Sequence, residues 1–425
     1  MLNLIGLKSG DLVSVPLGIP AVKVVKVVLT GPNAVSITVE STQVGTRCQH
    51  CGRHITQFHS HDRWLELRHL PILGRPTYLR LQPRRYACAA CGGQTTTQRL
   101  DWYEPQSPHT RAYDQQLLLQ LVNSTVTDVS RKEAVGYAAV EGALTRGIQT
   151  QVNWDEFTEL ETIGIDEIAL TKGRDNYVAL ITTRQAAGHV ALLAVLPDRK
   201  KETVRRFLET IPPRLWPTLK RVCTDMWDGY VNAVEEFAAA HPQVTLQVVI
   251  DRFHVAKHYR ESVDKVRQRE CRRLKKELSK EAYAELHGVM WILRKNHRDL
   301  TPDERQKLKR LLAYAPELKR AYTFREELTA IFELPLTKDQ AKQRLLKWRA
   351  KVKRSGLTCF DKFITTLDNW LDKIANYFSE RLNSGFVEGL NNKVKTLKRR
   401  CYGILRVKTL FQRLYLDLEG YRRFV

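Results

Sequence analysis

The sequence predicts an α/β chain: a strand-rich core carrying acidic side chains, interrupted by an all-helical insertion and preceded by a cysteine-bearing β module. Three observations predict it. Asp166 in ETIGIDEIALT and Asp225 in RVCTDMWDGY each follow a short apolar, β-branched run, so each carboxylate belongs on or at the end of a strand. Glu388 stands instead in NSGFVEGLNNKVKTLKRR, which has the pattern of an amphipathic helix. Four of the 8 cysteines form two CxxC pairs near the start of the chain.

Residues from about 20 to 45 alternate like a hairpin, with a turn at Gly31-Pro32-Asn33. The pairs CQHC (Cys48, Cys51) and CAAC (Cys88, Cys91) follow, and such paired knuckles are a strong signal for tetrahedral structural zinc. The spacer carries its own strand-like run, TYLRLQPRRYA. A redox dithiol is the competing reading, but no thioredoxin-like βαβ pattern surrounds either pair. His50, His54, His59 and His61 crowd the first knuckle and read as surface or phosphate-facing residues, with replacement of one cysteine ligand as the alternative. Cys223, Cys271, Cys359 and Cys401 are scattered and read as reduced thiols.

Pro105 and Pro108 mark a linker, after which YDQQLLLQLVNSTVTDVSRKEAVGYAAVEGALTRG reads as helical. Two short helices around Val135-Gly136-Tyr137 suggest a helix-turn-helix with Ala138 to Arg146 as the recognition helix. Lys132 stands where a small residue is usual, and Glu141 is unusual on a groove-facing helix, so a plain helical spacer stays open.

From Glu161 the pattern becomes TIGIDEIAL, NYVALITTR and HVALLAVLP, then a helix from about Lys201 to Thr210, the strand RVCTD, the helix YVNAVEEFAAA and the strand TLQVVIDRFHV. That strand-strand-strand-helix-strand-helix-strand order is the order of an RNase H-like fold. A long Lys-, Arg- and Glu-rich helical region then runs to about Tyr377 and separates Glu388 from Asp225 by 163 residues, a gap explained by an all-helical insertion. The expected divisions are residues 1–105 for the zinc-binding module and 106–155 for the helix-turn-helix-like segment. The core's first part is 156–255, the helical insertion 256–377, and the catalytic helix with the basic C-terminus 378–425.

At about 100° per residue, Val387, Leu390, Val394 and Leu397 fall within roughly 80° of one another, while Glu388, Asn391, Asn392, Lys395 and Arg399 gather on a separate face. One side of this helix can pack on a sheet while the other presents a lone carboxylate among amides and cations, with Arg400 close by. An ordinary solvated helix face is the competing reading. Strand, strand and helix carboxylates supply the hard oxygen ligands that a two-magnesium site needs to activate water or a DNA 3′-hydroxyl. Asp228 and Glu167 compete for the same assignment, but strand alternation turns Glu167 away from Asp166.

The formal charge is +23 over 425 residues, and from Asn391 to Val425 ten Lys or Arg face two acids, Asp417 and Glu419. A second basic stretch runs from Arg267 to Lys280. Patches of this kind bind polyanions by phosphate contact and counterion release. No run approaches the ~20 apolar residues of a membrane span. MLNLIGLKSGDL lacks the layout of a signal peptide, which predicts a cytoplasmic, nucleoid-associated protein with no membrane partner.

Several segments together resemble an insertion-sequence transposase of the ISL-three family, a DDE group with an N-terminal zinc finger. They are both knuckles with RHLPILGRPTYLRLQPRRYACAAC, TDMWDGY, VIDRFHVAKHY and SGFVEGLNNKVKTLKRRCYG, and the likeness spans nearly the whole chain. The resemblance implies that Asp166, Asp225 and Glu388 are the catalytic acids, holding two magnesium ions (or manganese), and that Cys48, Cys51, Cys88 and Cys91 hold structural zinc. Asp251 and His254 resemble an Asp-x-x-His signature beside the active site. His254 either orients an active-site group or phosphate, or makes a structural hydrogen bond. Asn391, Asn392, Lys395, Arg399 and Arg400 are the expected DNA-binding residues. The implied partners are terminal inverted repeats, target DNA and a second or further copy of the chain. Two other classes stay open: an RNase H-fold nuclease or resolvase, and a zinc-finger DNA-binding regulator with an inactive core.

Overall fold

The computed structural model describes residues 16–31, 33–170, 177–185, 188–381, 385–404 and 406–425, with the side chains of 385–388 outside that description. Pro32 of the expected hairpin turn and the N-terminal stretch MLNLIGLKSGDL lie outside the described residues. Two compact units emerge: residues Met1–Gln149 with Tyr415–Val425, and residues Thr150–Leu414.

The first unit holds strands β1 (Val22–Thr30), β2 (Ala34–Ser41), β3 (Thr46–Arg47), β4 (His54–Ile55), β5 (Phe58–His61), β6 (Leu65–Ile72), β7 (Arg75–Leu81), β8 (Arg84–Cys88) and β9 (Gln94–Thr97). β1, β2, β7 and β6 form a four-stranded sheet in that order. Alternation along β2 and β7 buries Val35, Ile37, Val39, Leu79 and Leu81 with Leu67, Leu100, Trp102 and Tyr103 as a core of its own. The strand-like spacer between the knuckles is two strands, β7 and β8, split at Gln82 and Pro83. β3–β4 and β5–β8–β9 form two small sheets around the cysteines.

Helices α1 (Arg111–Leu121), α2 (Val126–Glu133) and α3 (Tyr137–Gly147) follow. Thr110 and Thr125 cap the first two, their hydroxyls accepting from the amides of Tyr113 and Asp128. Ala134, in the left-handed region at φ 52°, makes the turn from α2 to α3.

The second unit is built on β10 (Glu161–Ala169), β11 (Tyr177–Arg184), β12 (Val190–Leu196), β13 (Leu219–Thr224) and β14 (Gln247–Ile250), in the spatial order β12-β11-β10-β13-β14. The first three strands pair antiparallel. β10, β13 and β14 run parallel to one another. Parallel neighbours need crossovers, and helices α4 (Lys201–Leu208) and α5 (Asp228–Ala240) supply them. Beyond β14 come α6 (Arg252–Glu277), α7 (Lys280–Ala284), α8 (Val289–Ile292), α9 (Pro302–Tyr314), α10 (Pro316–Glu333), α11 (Lys338–Arg354), α12 (Asp361–Ala375) and α13 (Tyr377–Glu380). Capping boxes at Thr301 and Thr337 start α9 and α11. One apolar core runs from the sheet (Ile163, Ile181, Val249) into this helical region (Tyr259, Leu328, Trp348, Phe363). α14 (Gly385–Arg400) and α15 (Val407–Phe424) close the chain. No helix among the described residues is long and apolar enough to cross a membrane.

Candidate active site and metal centre

Parallel pairing is what brings the acids together. Ile165 on β10 lies beside Thr224 on β13, so the next residues, Asp166 and Asp225, stand at one level on neighbouring strands. Thr224 pairs in turn with Ile250, and the Asp251 amide donates to the Thr224 carbonyl at 2.9 Å. Three carboxylates therefore follow from three adjacent parallel strands, at the carboxyl-end crevice where α/β sheets bind ligands.

Each carboxylate has its own surroundings. Asp166 is buried, its Oδ1 accepting from the Glu167 amide at 2.7 Å and its Oδ2 from the Asn391 side chain. Asp251 is buried and caps α6, its Oδ1 accepting from the Phe253 amide at 3.0 Å. His254 Nε2 lies 3.8 Å from Asp251 Oδ2. Asp225 Oδ1 is buried with no hydrogen-bond partner among the described residues. Burial pushes the Asp166 carboxyl up. Burial also pushes Asp225 up, to about 7, against the pull of His254, and the carboxylates of Glu167 and Asp166 raise it further.

These groups fit a divalent cation. A buried and a half-buried carboxylate stand side by side, one with an orphaned buried oxygen, and the pull of His254 and Arg199 does not offset the burial of Asp225; that is the donor set hard metal ions use. α14 lies against β10 with Leu390, Val394 and Leu397 buried, as its apolar stripe requires. Glu388 is in this helix, one turn before Asn391, and its side chain lies outside the described residues, as does that of Val387. On the same helix Asn392, Lys395 and Arg399 are exposed and Arg400 is half-buried. Asn391, expected at DNA, instead contacts Asp166.

Four further residues, Glu167, Arg199, Tyr230 and Lys398, lie beside this cluster. Glu167, despite alternation, raises Asp225 more than Asp166 does. It pairs with Arg199 at 2.9 Å, and that guanidinium lies over the rings of Tyr177 and Trp227, 4.8 and 4.4 Å from their centroids. The buried Tyr230 hydroxyl has no partner among the described residues, and burial with the nearby acids holds its pKa well above the ordinary value. Lys398 donates to the Ala169 carbonyl at 2.5 Å, tying α14 to the end of β10. Only the aromatic-acid run TDMWDGY hinted at Trp227 and Tyr230. Asp228, the rival to Asp225, is exposed at the first position of α5.

The elevated Asp225 carboxyl has a consequence for stability. A carboxyl raised from its usual ~3.9 contributes stability that is present below about pH 4. That contribution is lost as pH rises through about 7. In magnesium-free buffer Asp225→Asn is therefore expected to melt higher than the parent chain at pH 8 and to match it near pH 4. Magnesium at pH 8 should raise the Tm of the parent and not of the variant. Coincident Tm–pH curves from calorimetry would remove the buried charge from the account.

The second cluster is sulfur. Cys48, Cys51, Cys88 and Cys91 place their ligand atoms within 4.8 Å of one another. The Sγ pairs Cys48–Cys91 and Cys51–Cys88 are 3.9 and 3.7 Å apart. That is the edge, ~3.8 Å, of a tetrahedron with Zn–S near 2.3 Å, and far too long for a disulfide. The first knuckle folds back through the Gly52 amide onto the Cys48 carbonyl at 2.9 Å, with Gly52 at φ 73°. The second does the same through Gly93 and Cys88, also at 2.9 Å. Backbone amides of Cys51 and His50 pull the Cys48 thiol down to about 6, while burial pushes Cys88 up and the neighbouring Cys51 and Cys88 thiols push Cys91 up to about 12, so the cluster yields a first thiolate readily and resists the next. His50, His54, His59 and His61 are exposed. Among the described residues no other group of three or more His, Cys, Asp or Glu converges in this way.

In the first unit α2 and α3 form two short helices across a tight turn, but Arg146 of the expected recognition helix points inward. It donates twice to Asp114 at 2.9 Å, and Asp114 also bonds buried His109. The exposed residues of α3 are Tyr137, Ala138, Glu141, Thr145 and Gly147, which offer an acid and no cation.

Comparison with known proteins gives two family matches. Residues 163–414, more than half of the chain, match the DDE transposase domain of the ISL3 family. Residues 45–91 match the zinc finger of transposases of the IS204/IS1001/IS1096/IS1165 type. The chain is similar to the transposase for insertion sequence element IS1001 of Bordetella parapertussis, 28% identical with 91% of this chain and 92% of that one covered. It is also similar to the transposase for IS1557 of Mycobacterium tuberculosis, 25% identical over 88% of this chain and 86% of that one. Among solved structures, the yeast mitochondrial Holliday junction resolvase matches 51% of this chain and 99% of its own at 11% identity. Its TM-score of 0.13 is too low to bear on the fold.

Proposed function

We propose, since the chain belongs to the ISL3 family of insertion-sequence transposases, that it binds the terminal inverted repeats of its own element and catalyses metal-dependent DNA strand cleavage and strand transfer. The observation that carries this reading is the carboxylate pair on adjacent parallel strands, buried Asp166 and half-buried Asp225, under the helix that bears Glu388. The strand order, with the first strand central and the third at one edge, supports an RNase H-like core interrupted by the helices α6 to α13.

Asp166, Asp225 and Glu388 would hold two magnesium ions. When bound, magnesium activates the attacking water or 3′-hydroxyl and stabilises the leaving oxygen. The remaining work falls to the chain. Asn391 fixes one oxygen of Asp166, and the Glu167 amide fixes the other. His254 favours the ionised form of both Asp166 and Asp225, which keeps them competent as ligands. No side chain is needed as a covalent nucleophile. Exposed Asn392, Lys395 and Arg399, with Arg400, provide donors for DNA phosphates. The four cysteines would hold one structural zinc, and the protein would act in the cytoplasm at the nucleoid, as a homodimer or larger assembly on DNA.

The test is direct. Purified protein with magnesium and an end-labelled duplex carrying one element end should cut at the element boundary. Preferential cutting of an RNA–DNA hybrid or a four-way junction would favour a nuclease or resolvase. Binding without any magnesium-dependent cut would favour a regulator.

A second expectation concerns α14. Lys395 and Arg399 are exposed on the side away from buried Leu390 and Val394. Replacing both with Ala should weaken binding about equally for element ends and unrelated duplex. It should also reduce the slope of log affinity against log salt by roughly two. Loss of sequence preference with an unchanged slope would make them base readers instead.

A further inference from the structure

Beside the acids, on the insertion side, lies a cleft that the chemistry above does not use. It has a volume of ≈ 410 Å³, and its lining joins Phe253, Val263 and Leu293 to three cations, Lys257, Arg260 and Arg294, and two acids, Glu261 and Asp264. Phe253 is 46% exposed, although it sits two residues after the buried Asp251. Its ring meets that of His254 edge-on, centroids 5.8 Å apart, so the cleft adjoins the carboxylate cluster. Nearly half of the Phe253 surface is therefore open, and it opens into a cleft that also holds cations.

Arg294 lies within electrostatic reach of Asp264, and the other two cations are available. No carboxylate among the described residues pairs with Lys257 or Arg260, and Arg260 Nε is buried without a hydrogen-bond partner. Asp264 is already engaged by Arg267 at 2.7 Å and Gln268 at 3.0 Å, which leaves Glu261 as the cleft's one acid outside an ion pair among the described residues. Arg294 extends the surface, its guanidinium 5.2 Å from the centroid of Trp291, itself 62% exposed. An aromatic face flanked by cations, in a cleft the size of a small ligand, suits an unpaired nucleotide: the base stacks and the cations take the phosphates. A duplex offers no free base face, and an acidic peptide would not need the exposed ring.

We propose that this cleft binds an unpaired nucleotide of the DNA strand adjoining the scissile phosphate, with Phe253 stacking on its base and Lys257, Arg260 and Arg294 on the flanking phosphates. This rests on the transposase reading for the position of the strand and on the cleft alone for its chemistry. Charge complementarity sets the occupant as nucleic acid. Stacking sets it as single-stranded at that point.

The test measures fluorescence anisotropy of the full chain in magnesium-free buffer. The probes are an element-end duplex that is blunt, one with a three-nucleotide single-stranded flank, and one whose flank is abasic. The parent chain should prefer the flanked end, and Phe253→Ala should lose about 5- to 150-fold of affinity for it while binding the blunt end as before. Phe253→Trp should retain the preference, and unchanged Tm values would show that both variants are folded. On the abasic flank, Phe253→Ala should cost nothing further. Equal preference in the parent and Phe253→Ala, or an abasic flank bound as well as a normal one, would overturn the proposal. So would no flank preference at all, the result expected if the cleft serves a protein segment. Cleavage of the element end by the parent chain in magnesium, run in parallel, keeps the two readings separate. Cleavage without a Phe253-dependent preference rejects the cleft alone. A Phe253-dependent preference without cleavage supports the cleft and rejects the catalytic function.

Discussion

Asp166→Ala, Asp225→Ala and Glu388→Ala are each expected to abolish strand cleavage and joining while leaving binding to element ends within a few-fold of the parent. Removing a carboxylate from a metal site forfeits several kcal/mol of transition-state stabilisation, so the expected loss in rate is at least about 10³-fold. Binding is spared for a physical reason. Asp166 is buried and Asp225 half-buried with one buried oxygen, so neither offers much surface to the duplex, and removing negative charge does not weaken attraction to phosphate. A gel assay that resolves nicked, joined and bound species on one labelled substrate separates the two effects. Substantial cleavage by any one variant would take that residue out of the site. The Glu388 variant carries the most information, because its place rests on its position in α14, one turn before the Asn391 that reaches Asp166.

The strands were legible because each is a short apolar run bounded by polar breaks, and a central strand buried on both faces reads that way in any sheet. Leu390, Val394 and Leu397 were legible as a packed stripe because helical period alone fixes which side chains share a face. The cysteine cluster was legible because ligand spacing within a knuckle is set by local backbone geometry, which sequence carries directly.

What was not legible depends on distance in the chain. The bond from Asn391 to Asp166 and the one from Lys398 to Ala169 join residues more than two hundred positions apart, and no local pattern encodes them. Asn391 shares a helix face with cations, which reads as a DNA-facing amide, yet it reaches Asp166 on the central strand of the sheet. Glu167 was set aside by alternation, which fixes where a Cβ points but not where a flexible carboxylate ends. Its pairing with Arg199 holds it within electrostatic reach of Asp225. The inward turn of Arg146 needed Asp114 and His109, which lie before the helix pair that suggested DNA reading.

Cys88→Ser is expected to unfold the cysteine module and weaken recognition of element ends while leaving the rest of the chain folded. The module has little else to hold it. Its apolar core is Cys48, Ile55, Tyr86 and Cys88 with Cys91 packed alongside, so three of its five members belong to the sulfur cluster itself. The strands β3 and β4 have two residues each, too short for independent stability. Bound zinc would therefore supply most of the module's folding energy, since structural zinc contributes about 10–16 kcal/mol in comparable small modules. The four-stranded sheet of β1, β2, β7 and β6 has a separate core around Leu79 and Leu81, and the strand-rich second unit has its own, so neither should melt with the metal. Metal analysis should give one zinc per parent chain and close to none for the variant. Calorimetry should show the main transition preserved in both. A parent protein without zinc, with Cys48, Cys51, Cys88 and Cys91 all titrating freely in the native state, would reject the assignment. So would a Cys88→Ser variant that keeps both its zinc and its affinity for element ends.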